Sequence, residues 1–351
     1  MNELNVEQQQ TTLFALHRFL PDAEVETLHP YLVADEEGYH KFITGVTLRD
    51  GRHVVVKLVR EDDGTIEAER DKLECQSAYA EMLRENGIAT PRRYRAEGSY
   101  CIVLPMAFGE ICATAEDWCG NEITTITESL SFRIGALLAK IHTVSVQSGF
   151  MIGRGTLFGA AVKNDVNAFD GLCRLAEDEQ IDKDVFAAIR ALYEQKMCEL
   201  RTVWEGLPRA ATQGDISINN LVDTGDELIV FDFNNAGDET LVSDLVLEGL
   251  LTAYEMDLPE GTPPEVPQQL FRAFIRGYRS VRALSDAECA AAWTIYVLYD
   301  SLWFTKILYN DDSVQGHLQR NDAEGANRKL KEMLHDLQRT EKDEAFVAFT
   351  A

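Results

Sequence analysis

Three carboxylate or amide side chains occur at short intervals in the second half of the chain. Asp215 and Asn220 lie five positions apart, and Asp232 follows twelve residues after Asn220, at the end of the apolar run Leu228–Phe231. The connection between the two apolar stretches is short, so adjacent strands can bring the three side chains to one edge. Carboxylate and amide oxygens suit Mg²⁺, which normally also keeps waters and substrate phosphates. The spacing therefore predicts a magnesium–phosphate site.

Phosphoryl transfer also needs a cation that contacts the phosphates, and Lys57 fits that role. It lies in the apolar run Val54–Leu58, where strand alternation turns its side chain to one face. A lysine buried there needs an acidic partner. The helical stretch that follows offers several glutamates, and Glu74 is the preferred partner. The competitors are Glu67, Glu69 and Glu81.

The elements that must position these residues change in character along the chain. Strand-like runs flank a turn at Asp50-Gly51, and a polar helical stretch covers Glu67–Glu85. After Pro105 the spacing of apolar residues becomes mainly helical. The pattern predicts an α+β protein with two lobes, a small β-rich lobe at 1–105 and a larger, mainly helical lobe at 106–351.

Composition argues against several classes of partner. The chain carries 33 Lys and Arg against 59 Asp and Glu, a net charge of −26, which argues against nucleic-acid backbones and anionic lipid. The excess acid indicates either a solvated acidic surface or a cationic substrate. The seven cysteines form no Cys-x-x-Cys pair, so neither a zinc site nor a disulfide framework is predicted. With no apolar leader and no run long enough to span a bilayer, we expect a cytoplasmic protein.

Several stretches, in their order and spacing, resemble the aminoglycoside phosphotransferase and choline kinase family, whose members have the protein-kinase-like fold. The resemblance extends over residues 39–310. The matching stretches are Val54–Lys57, the apolar helix Ile134–His142, Gly214–Asn220, Val230–Phe233 and Ser243-Asp244-Leu245. It implies a two-lobed kinase that uses ATP and Mg²⁺ on a small-molecule acceptor. The lobe at 1–105 would bind the nucleotide, and the lobe at 106–351 would carry catalysis and the acceptor site.

The resemblance also implies a role for each residue of the site. Asp215 would be the catalytic base. Asn220 and Asp232 would bind the metal ion, which contacts the phosphates of ATP. Lys57 and Glu74 would form the ion pair that positions those phosphates.

Further implied features are a structural acid, a hinge and a hairpin over the phosphates. Asp244 would hold the catalytic loop, and the hairpin region Gly38–Gly45 would cover the phosphates. The inter-lobe hinge should begin at Pro105, and because proline lacks an N–H, Met106 would be the backbone donor to adenine. Gln213 stands where the family usually has histidine, and its amide can both donate and accept hydrogen bonds there.

The acceptor site is predicted only as one face of a helix. Tyr296, Tyr299, Asp300 and Trp303 share the spacing i, i+3, i+4 and i+7. Aromatic rings with a carboxylate can hold an ammonium group. The alternative is an ordinary core face that includes a buried tyrosine hydroxyl. Asp165 is a weaker candidate for the acceptor pocket.

Three functions are compatible with these motifs. The preferred one is an ATP-dependent kinase that phosphorylates a hydroxyl of an aminoglycoside, amino alcohol or sugar-like metabolite. The alternatives are a nucleotide-binding regulator without catalysis and a protein Ser/Thr kinase of the same fold. Retention of Lys57, Asp215, Asn220 and Asp232 favours catalysis, because a regulator has no chemical need for all four.

Overall fold

A computed structural model describes residues 3–36, 38–61, 64–156, 168–255, 262–263, 265–340 and 344–350. In chain order, the first regular elements are α1 (Val6–Phe19), β1 (Val25–Glu36), β2 (Tyr39–Leu48), β3 (His53–Glu61), α2 (Ile66–Glu85), β4 (Ile102–Met106) and β5 (Gly109–Asp117). They are followed by α3 (Glu128–Ser148), α4 (Phe169–Leu175), α5 (Lys183–Trp204), β6 (Arg209–Thr212), β7 (Leu221–Asp223), β8 (Leu228–Val230) and β9 (Gly237–Thr240). The last are α6 (Leu241–Leu250), α7 (Val266–Arg279), α8 (Asp286–Ser301), α9 (Phe304–Ile307), α10 (Val314–Gln319), α11 (Ala323–Leu337) and α12 (Glu344–Thr350).

The chain divides into two compact units. The first comprises Met1–Ile123 and Asn219–Asn234, and the second comprises Thr124–Ile218 and Asn235–Ala351. The first unit contains the five-stranded antiparallel sheet and the second is mainly helical, so the α+β class predicted from the sequence is confirmed. The predicted boundary between residues 105 and 106 falls inside β4. Among the described residues, no helix combines the length and apolar character that a bilayer crossing requires.

The first unit is built on a five-stranded antiparallel sheet with the order β1-β2-β3-β5-β4. Alternate residues of β3 face opposite sides, so Val54, Val56 and Leu58 join the core cluster that also includes residues of α1. Val59 lies on the other face and packs in a cluster with Leu73 of α2. Burial of each such aliphatic side chain contributes about 1.5–3 kcal/mol. Lys57 shares the α2 face because of the same alternation.

The first unit also includes a two-stranded hairpin of β7 and β8. The Val230 N–H donates to the Ala89 carbonyl at 3.0 Å, and the Ile123 N–H donates to the Leu221 carbonyl at 3.0 Å. The ring of Phe233 meets that of Tyr79 edge-on at a centroid separation of 5.9 Å. These contacts fix residues 221–233 against the part of the unit that contains α2.

The second unit depends on a close crossing of α3 and α7. A Cβ on Gly135 would overlap the backbone oxygen of Phe274, and a Cβ on Gly277 would overlap that of Phe132. Glycine on both helices therefore permits a backbone approach that any side chain would prevent. The crossing positions His142, near the end of α3, beside Tyr278 of α7, whose hydroxyl lies 2.8 Å from the His142 Nδ1.

Candidate functional site

Lys57 forms an ion pair within the sheet of the first unit. Its Nζ lies 2.9 Å from Glu116 Oε1, and both side chains are more than nine-tenths buried. The predicted ion pair between Lys57 and Glu74 is wrong. One carboxylate oxygen of Glu74 instead accepts the backbone N–H groups of Tyr100 and Cys101, at 2.7 and 2.8 Å. Glu74 therefore holds the segment that leads into β4.

The pairing of β3 with β5 explains why Glu116 reaches the lysine. Lys57 lies directly opposite Thr114 in the antiparallel register. Glu116 is two residues further along β5, so it projects from the same face as Thr114 and is the diagonal neighbour of Lys57. A long lysine side chain bridges that separation without any contribution from a helix.

Arg93 is a second cation on the same carboxylate. Its Nη2 lies 2.8 Å from Glu116 Oε2, with side chains 7% and 5% exposed. Its guanidinium carbon lies 5.6 Å from the centroid of the Phe233 ring, which adds a cation–π contact. The backbone N–H of Arg93 donates to Glu81 Oε1 at 2.7 Å. One carboxylate thus binds two buried cations, one through each oxygen.

Asp232 lies on the other side of the lysine. Its Oδ1 is 3.7 Å from Lys57 Nζ, and its backbone has φ of 51°, in the left-handed region that few residues other than glycine adopt. Such backbone strain is found preferentially at functional sites. Four residues of the first unit therefore alternate in charge, three of them buried and Asp232 half-buried: Arg93, Glu116, Lys57 and Asp232.

The pKa values of these groups follow from that alternation. Burial alone lowers the pKa of Lys57, but Asp232 and Glu116 raise it by more, so it stands above its ordinary value. Burial raises the pKa of Glu116, but the positive charges of Arg93 and Lys57 lower it by more, so the pKa of Glu116 lies below its usual range. The pKa of Asp232 is likewise lowered, because Lys57 and Lys41 outweigh its desolvation. Lys57, Glu116 and Asp232 are therefore charged at neutral pH.

The residues predicted to bind metal are compatible with a magnesium ion. The Phe231 N–H donates to the Asn220 carbonyl at 3.0 Å, so Asn220 lies beside the strand that leads into Asp232. Among the described residues, no group of three or more His, Cys, Asp or Glu side chains could form a metal site of its own. One carboxylate and one amide are hard oxygen donors, which suit an ion that keeps waters and phosphate oxygens as its other ligands.

Met106 does not lie at a hinge. It ends β4 and pairs with Gly109 of β5, so the chain turns back immediately into the sheet. The predicted hinge at Pro105 is therefore wrong, because the segment after it forms another strand of the same unit. The Met106 side chain is buried in the core cluster. The first part of this unit continues to Ile123.

Asp215 lies in the second unit, on a loop after β6. Its Oδ2 accepts a hydrogen bond from Asn235 Nδ2 at 2.9 Å, and its Oδ1 accepts one from Ser217 Oγ at 3.0 Å. The Asp215 backbone N–H donates to Gln213 Oε1 at 2.8 Å. Gly214 adopts φ of 77° and packs against the Asn235 carbonyl, where a Cβ would clash. The carboxylate thus has a defined orientation, and Gln213 uses its amide to hold the loop.

The acid that holds this loop is one helical turn beyond the predicted one. The family resemblance implies that Asp244 of α6 holds the loop, but the Asp244 Oδ2 lies 2.9 Å from His142 Nε2. Glu248, four residues later on α6, accepts the Ile216 N–H at 2.6 Å through Oε2. Both acids are buried. Sequence spacing could not distinguish the two acids, because the rotation of α6 within the unit decides which of them reaches the loop.

The predicted acceptor face is part of the core of the second unit. Tyr299 is fully buried, with its hydroxyl 3.5 Å from Ser243 Oγ. Asp300 Oδ2 lies 2.5 Å from Arg339 Nη1, so its negative charge is already neutralised. Trp303 is buried at the start of α9. These contacts support the alternative interpretation, an ordinary core face, while Asp165 lies outside the described residues.

Four residues that contact the site were not found from the sequence. Glu116 and Arg93 carry only weak signals, namely a charged residue within apolar strand-like sequence and an arginine shortly after a proline. Asn235 follows three residues after Asp232 and could have been suspected from that proximity. Glu248 could have been suspected as a second acid one helical turn after Asp244.

Comparison with known proteins agrees with this fold and these motifs. Residues 44–284 match the phosphotransferase enzyme family, a stretch well over half of the chain. The protein therefore belongs to that family and is a phosphotransferase that acts on hydroxyl groups. The resemblance proposed from the motifs is confirmed. A search of curated protein sequences finds no significant match.

Solved structures share the fold at low sequence identity. An amicoumacin kinase in complex with AMP-PNP, Ca²⁺ and Ami is 16% identical, with a TM-score of 0.60 and 93% of each chain covered. A microcompartment-associated aminopropanol kinase is 16% identical, with a TM-score of 0.59, covering 94% of this chain and 99% of that one. An aminoglycoside phosphotransferase from Alicyclobacillus acidocaldarius is 12% identical, with a TM-score of 0.57 and 96% of each chain covered. The similarity extends over nearly the whole of each protein.

Proposed function

We propose that this protein transfers the γ-phosphoryl group of ATP to a hydroxyl of a small molecule, with Mg²⁺ as the metal ion. The observation that carries the proposal is the 3.7 Å separation between Nζ of the buried Lys57 and Oδ1 of the half-buried Asp232. A lysine beside a metal-binding carboxylate is the arrangement that phosphoryl transfer requires. Support for the nucleotide comes from the amicoumacin kinase, which was solved with AMP-PNP and Ca²⁺.

Each residue has a separate task in this mechanism. Lys57 contacts phosphate oxygens with its N–H groups and neutralises their charge. Asn220 and Asp232 would hold the magnesium ion, which would offset negative charge on the phosphates when bound. Asp215 orients the acceptor hydroxyl and accepts its proton as the oxygen attacks the γ-phosphorus. The bond from that phosphorus to the β,γ-bridging oxygen then breaks, and ADP leaves.

The acceptor is proposed to be a small cationic alcohol. The chain's net charge of −26 favours approach of cations. Two of the similar structures are named for action on an aminopropanol and on aminoglycosides. A cytoplasmic location is proposed because all seven cysteines are unpaired, as expected in a reducing compartment.

The direct test is ATP consumption by the purified protein with Mg²⁺ over a panel of aminoglycosides, amino alcohols and neutral sugars. We expect acceptor-dependent formation of ADP and of a phosphorylated product with at least one cationic alcohol. The Asp215→Asn variant serves as the negative control. ATP binding without ADP formation across the panel would instead support a nucleotide-binding regulator.

A further inference from the structure

The sequence predicts that a carboxylate of α2, the helix that follows β3, pairs with Lys57. In the structure the carboxylate comes from Glu116 of β5 instead. We propose that Glu116, supported by Arg93, is the positioning residue of Lys57 and holds its ammonium group ready for nucleotide phosphates without an ion pair between the lysine and a carboxylate of α2. This inference rests on the proposed function. It adds two positioning residues that lie in none of the motifs by which the chain resembles its family.

The connection between Lys57 and Glu116 is rigid. The two residues lie on neighbouring strands that are paired continuously from Val54↔Asp117 to Val59↔Cys112. Backbone hydrogen bonds of the sheet fix the positions of the two Cα atoms from which these side chains project. A displacement of α2 would leave that register unchanged, whereas a helix-borne carboxylate would move away with the helix.

Three carboxylates of α2, those of Glu69, Glu74 and Glu81, bind other groups. Both oxygens of Glu69 accept the Glu61 N–H, at 3.2 and 3.1 Å. Glu74 accepts two backbone N–H groups at the start of β4. Glu81 pairs with Arg84 at 2.7 Å and accepts the Arg93 N–H. The helix reaches the Asp232 segment instead through a neutral group, the Gln76 Nε2, which donates to the Asn234 carbonyl at 2.6 Å.

The charge on Glu116 is shared between two cations. A lone buried carboxylate beside Lys57 would compete with incoming phosphate for the ammonium group. Arg93 divides that attraction, because Glu116 presents one oxygen to each cation. The ammonium has three N–H donors, so a contact with Glu116 leaves donors for phosphate oxygens. Glu116 therefore orients the ammonium group of Lys57, and Arg93 limits how strongly the Glu116 carboxylate attracts that ammonium group.

The test compares Glu116→Gln with Glu74→Gln, using the affinity of the full-length protein for Mg·ATP measured without any acceptor. Glu116→Gln keeps the size of the side chain, and we expect its Kd to rise by about tenfold or more, since a charge-assisted hydrogen bond is lost. Glu74→Gln should bind as the wild type does. Glu69→Gln is the matched control for a buried carboxylate that does not contact the lysine, and thermal unfolding reports the folding of each variant.

A second readout separates positioning from simple structural support. The second readout is a double-mutant cycle with Lys57, because a residue that only supports the fold loses affinity independently of the lysine. Lys57→Met combined with Glu116→Gln should lose no more affinity than Lys57→Met alone.

The inference is overturned if folded Glu116→Gln binds Mg·ATP with wild-type affinity, or if Glu74→Gln loses affinity instead. Failure of the proposed function gives a different result, namely a wild-type protein that binds no Mg·ATP, or one that binds it but forms no ADP with any acceptor of the panel. The Arg93→Met variant completes the set. We expect it to weaken binding, because Glu116 then retains the lysine more strongly.

Discussion

Asn235 Nδ2 donates a hydrogen bond to Asp215 Oδ2 at 2.9 Å, while Ser217 Oγ donates to the other oxygen of the same carboxylate at 3.0 Å. The group proposed to take the acceptor proton is therefore held from two sides by residues of its own unit. A general base works only when its lone pairs face the proton it removes. The two donors decide that orientation.

Removal of Asn235 should reduce turnover more than nucleotide affinity. Asn235→Ala releases one oxygen of Asp215, so we expect kcat to fall by about 10–100-fold, as for loss of a positioning contact. The KM for ATP should change little, since the nucleotide contacts are assigned to other residues. Steady-state kinetics with the best acceptor from the panel provide the measurement. Equal losses in kcat and in Mg·ATP affinity would contradict a positioning role for Asn235.

Neutralisation of the proposed base should abolish nearly all transfer. Asp215→Asn keeps the shape of the side chain but cannot accept the hydroxyl proton, and we expect turnover to fall by about 10²–10⁴-fold. Mg·ATP binding should persist, because Lys57, Asn220 and Asp232 are unchanged. Single-turnover assays and nucleotide titrations check the two halves of this prediction. Turnover at the wild-type rate would show that Asp215 has another role.

The acid of α6 that supports the catalytic loop can be identified by a pair of variants. Glu248→Ala leaves the buried Ile216 N–H without its acceptor at 2.6 Å, so the free energy of unfolding should decrease by about 1–3 kcal/mol. Turnover should decrease as well, because Ile216 directly follows Asp215. Chemical denaturation and kinetics report the two effects.

The matched variant is Asp244→Asn, on the same face one turn earlier. Its contact is with His142, so it should destabilise the unit without altering the geometry of Asp215. If Asp244→Asn lowered turnover at a given temperature as much as Glu248→Ala while remaining folded, the predicted role of Asp244 would be restored.

Stability in acid should depend on the charged cluster of the first unit. The pKa values of Glu116 and Asp232 are lowered below their ordinary values of 4.5 and 3.8. A carboxylate with a lowered pKa stabilises the fold above its unfolded pKa, and that contribution is lost as pH falls through the folded pKa. The wild type should therefore lose stability progressively below about pH 4.5. Urea unfolding over that range should show a shallower decline for Glu116→Gln, and a curve parallel to that of the wild type would contradict the assignment.

The crossing of α3 and α7 should tolerate no side chain at its closest points. Gly277→Ala places a Cβ against the backbone oxygen of Phe132, so the helices must separate, and we expect a loss of about 1–3 kcal/mol or more from overpacking. Gly206→Ala is the control, because its Cβ would meet nothing closer than 3.5 Å. Thermal unfolding of both variants measures the difference. Equal melting temperatures would show that the crossing adjusts without strain.

Much of the candidate site was predictable because its residues are close in sequence. Asp215, Asn220 and Asp232 lie within one short segment, and Lys57 lies in an apolar strand-like run, so their types and order were sufficient to indicate phosphoryl transfer and the family. The α+β organisation followed from the change in apolar periodicity.

Residues that act through distant pairing were not predictable in this way. Glu116 meets Lys57 only because β5 pairs with β3. The sequence predicts a hinge after Leu104, whereas that segment forms β4 and β5 of the sheet. Asp244 and Glu248 share one face of α6, and only the rotation of that helix against the catalytic loop decides which of them touches it. The sequence predicts that Asp300 can bind an ammonium group of the acceptor, but in the fold its carboxylate forms an ion pair with Arg339.

The sequence by itself therefore determined which groups are the candidates for chemistry: a lysine, two proposed oxygen ligands and a proposed catalytic carboxylate, in the order typical of phosphotransferases. The tertiary structure decided which side chains hold those groups in place, namely Glu116 and Arg93 for Lys57, and Asn235 and Glu248 for Asp215 and its loop. The physical reason is that reactive groups are specified by residue type at short spacing. Their supports are specified by strand register and helix rotation, which depend on the packing of the folded unit as a whole.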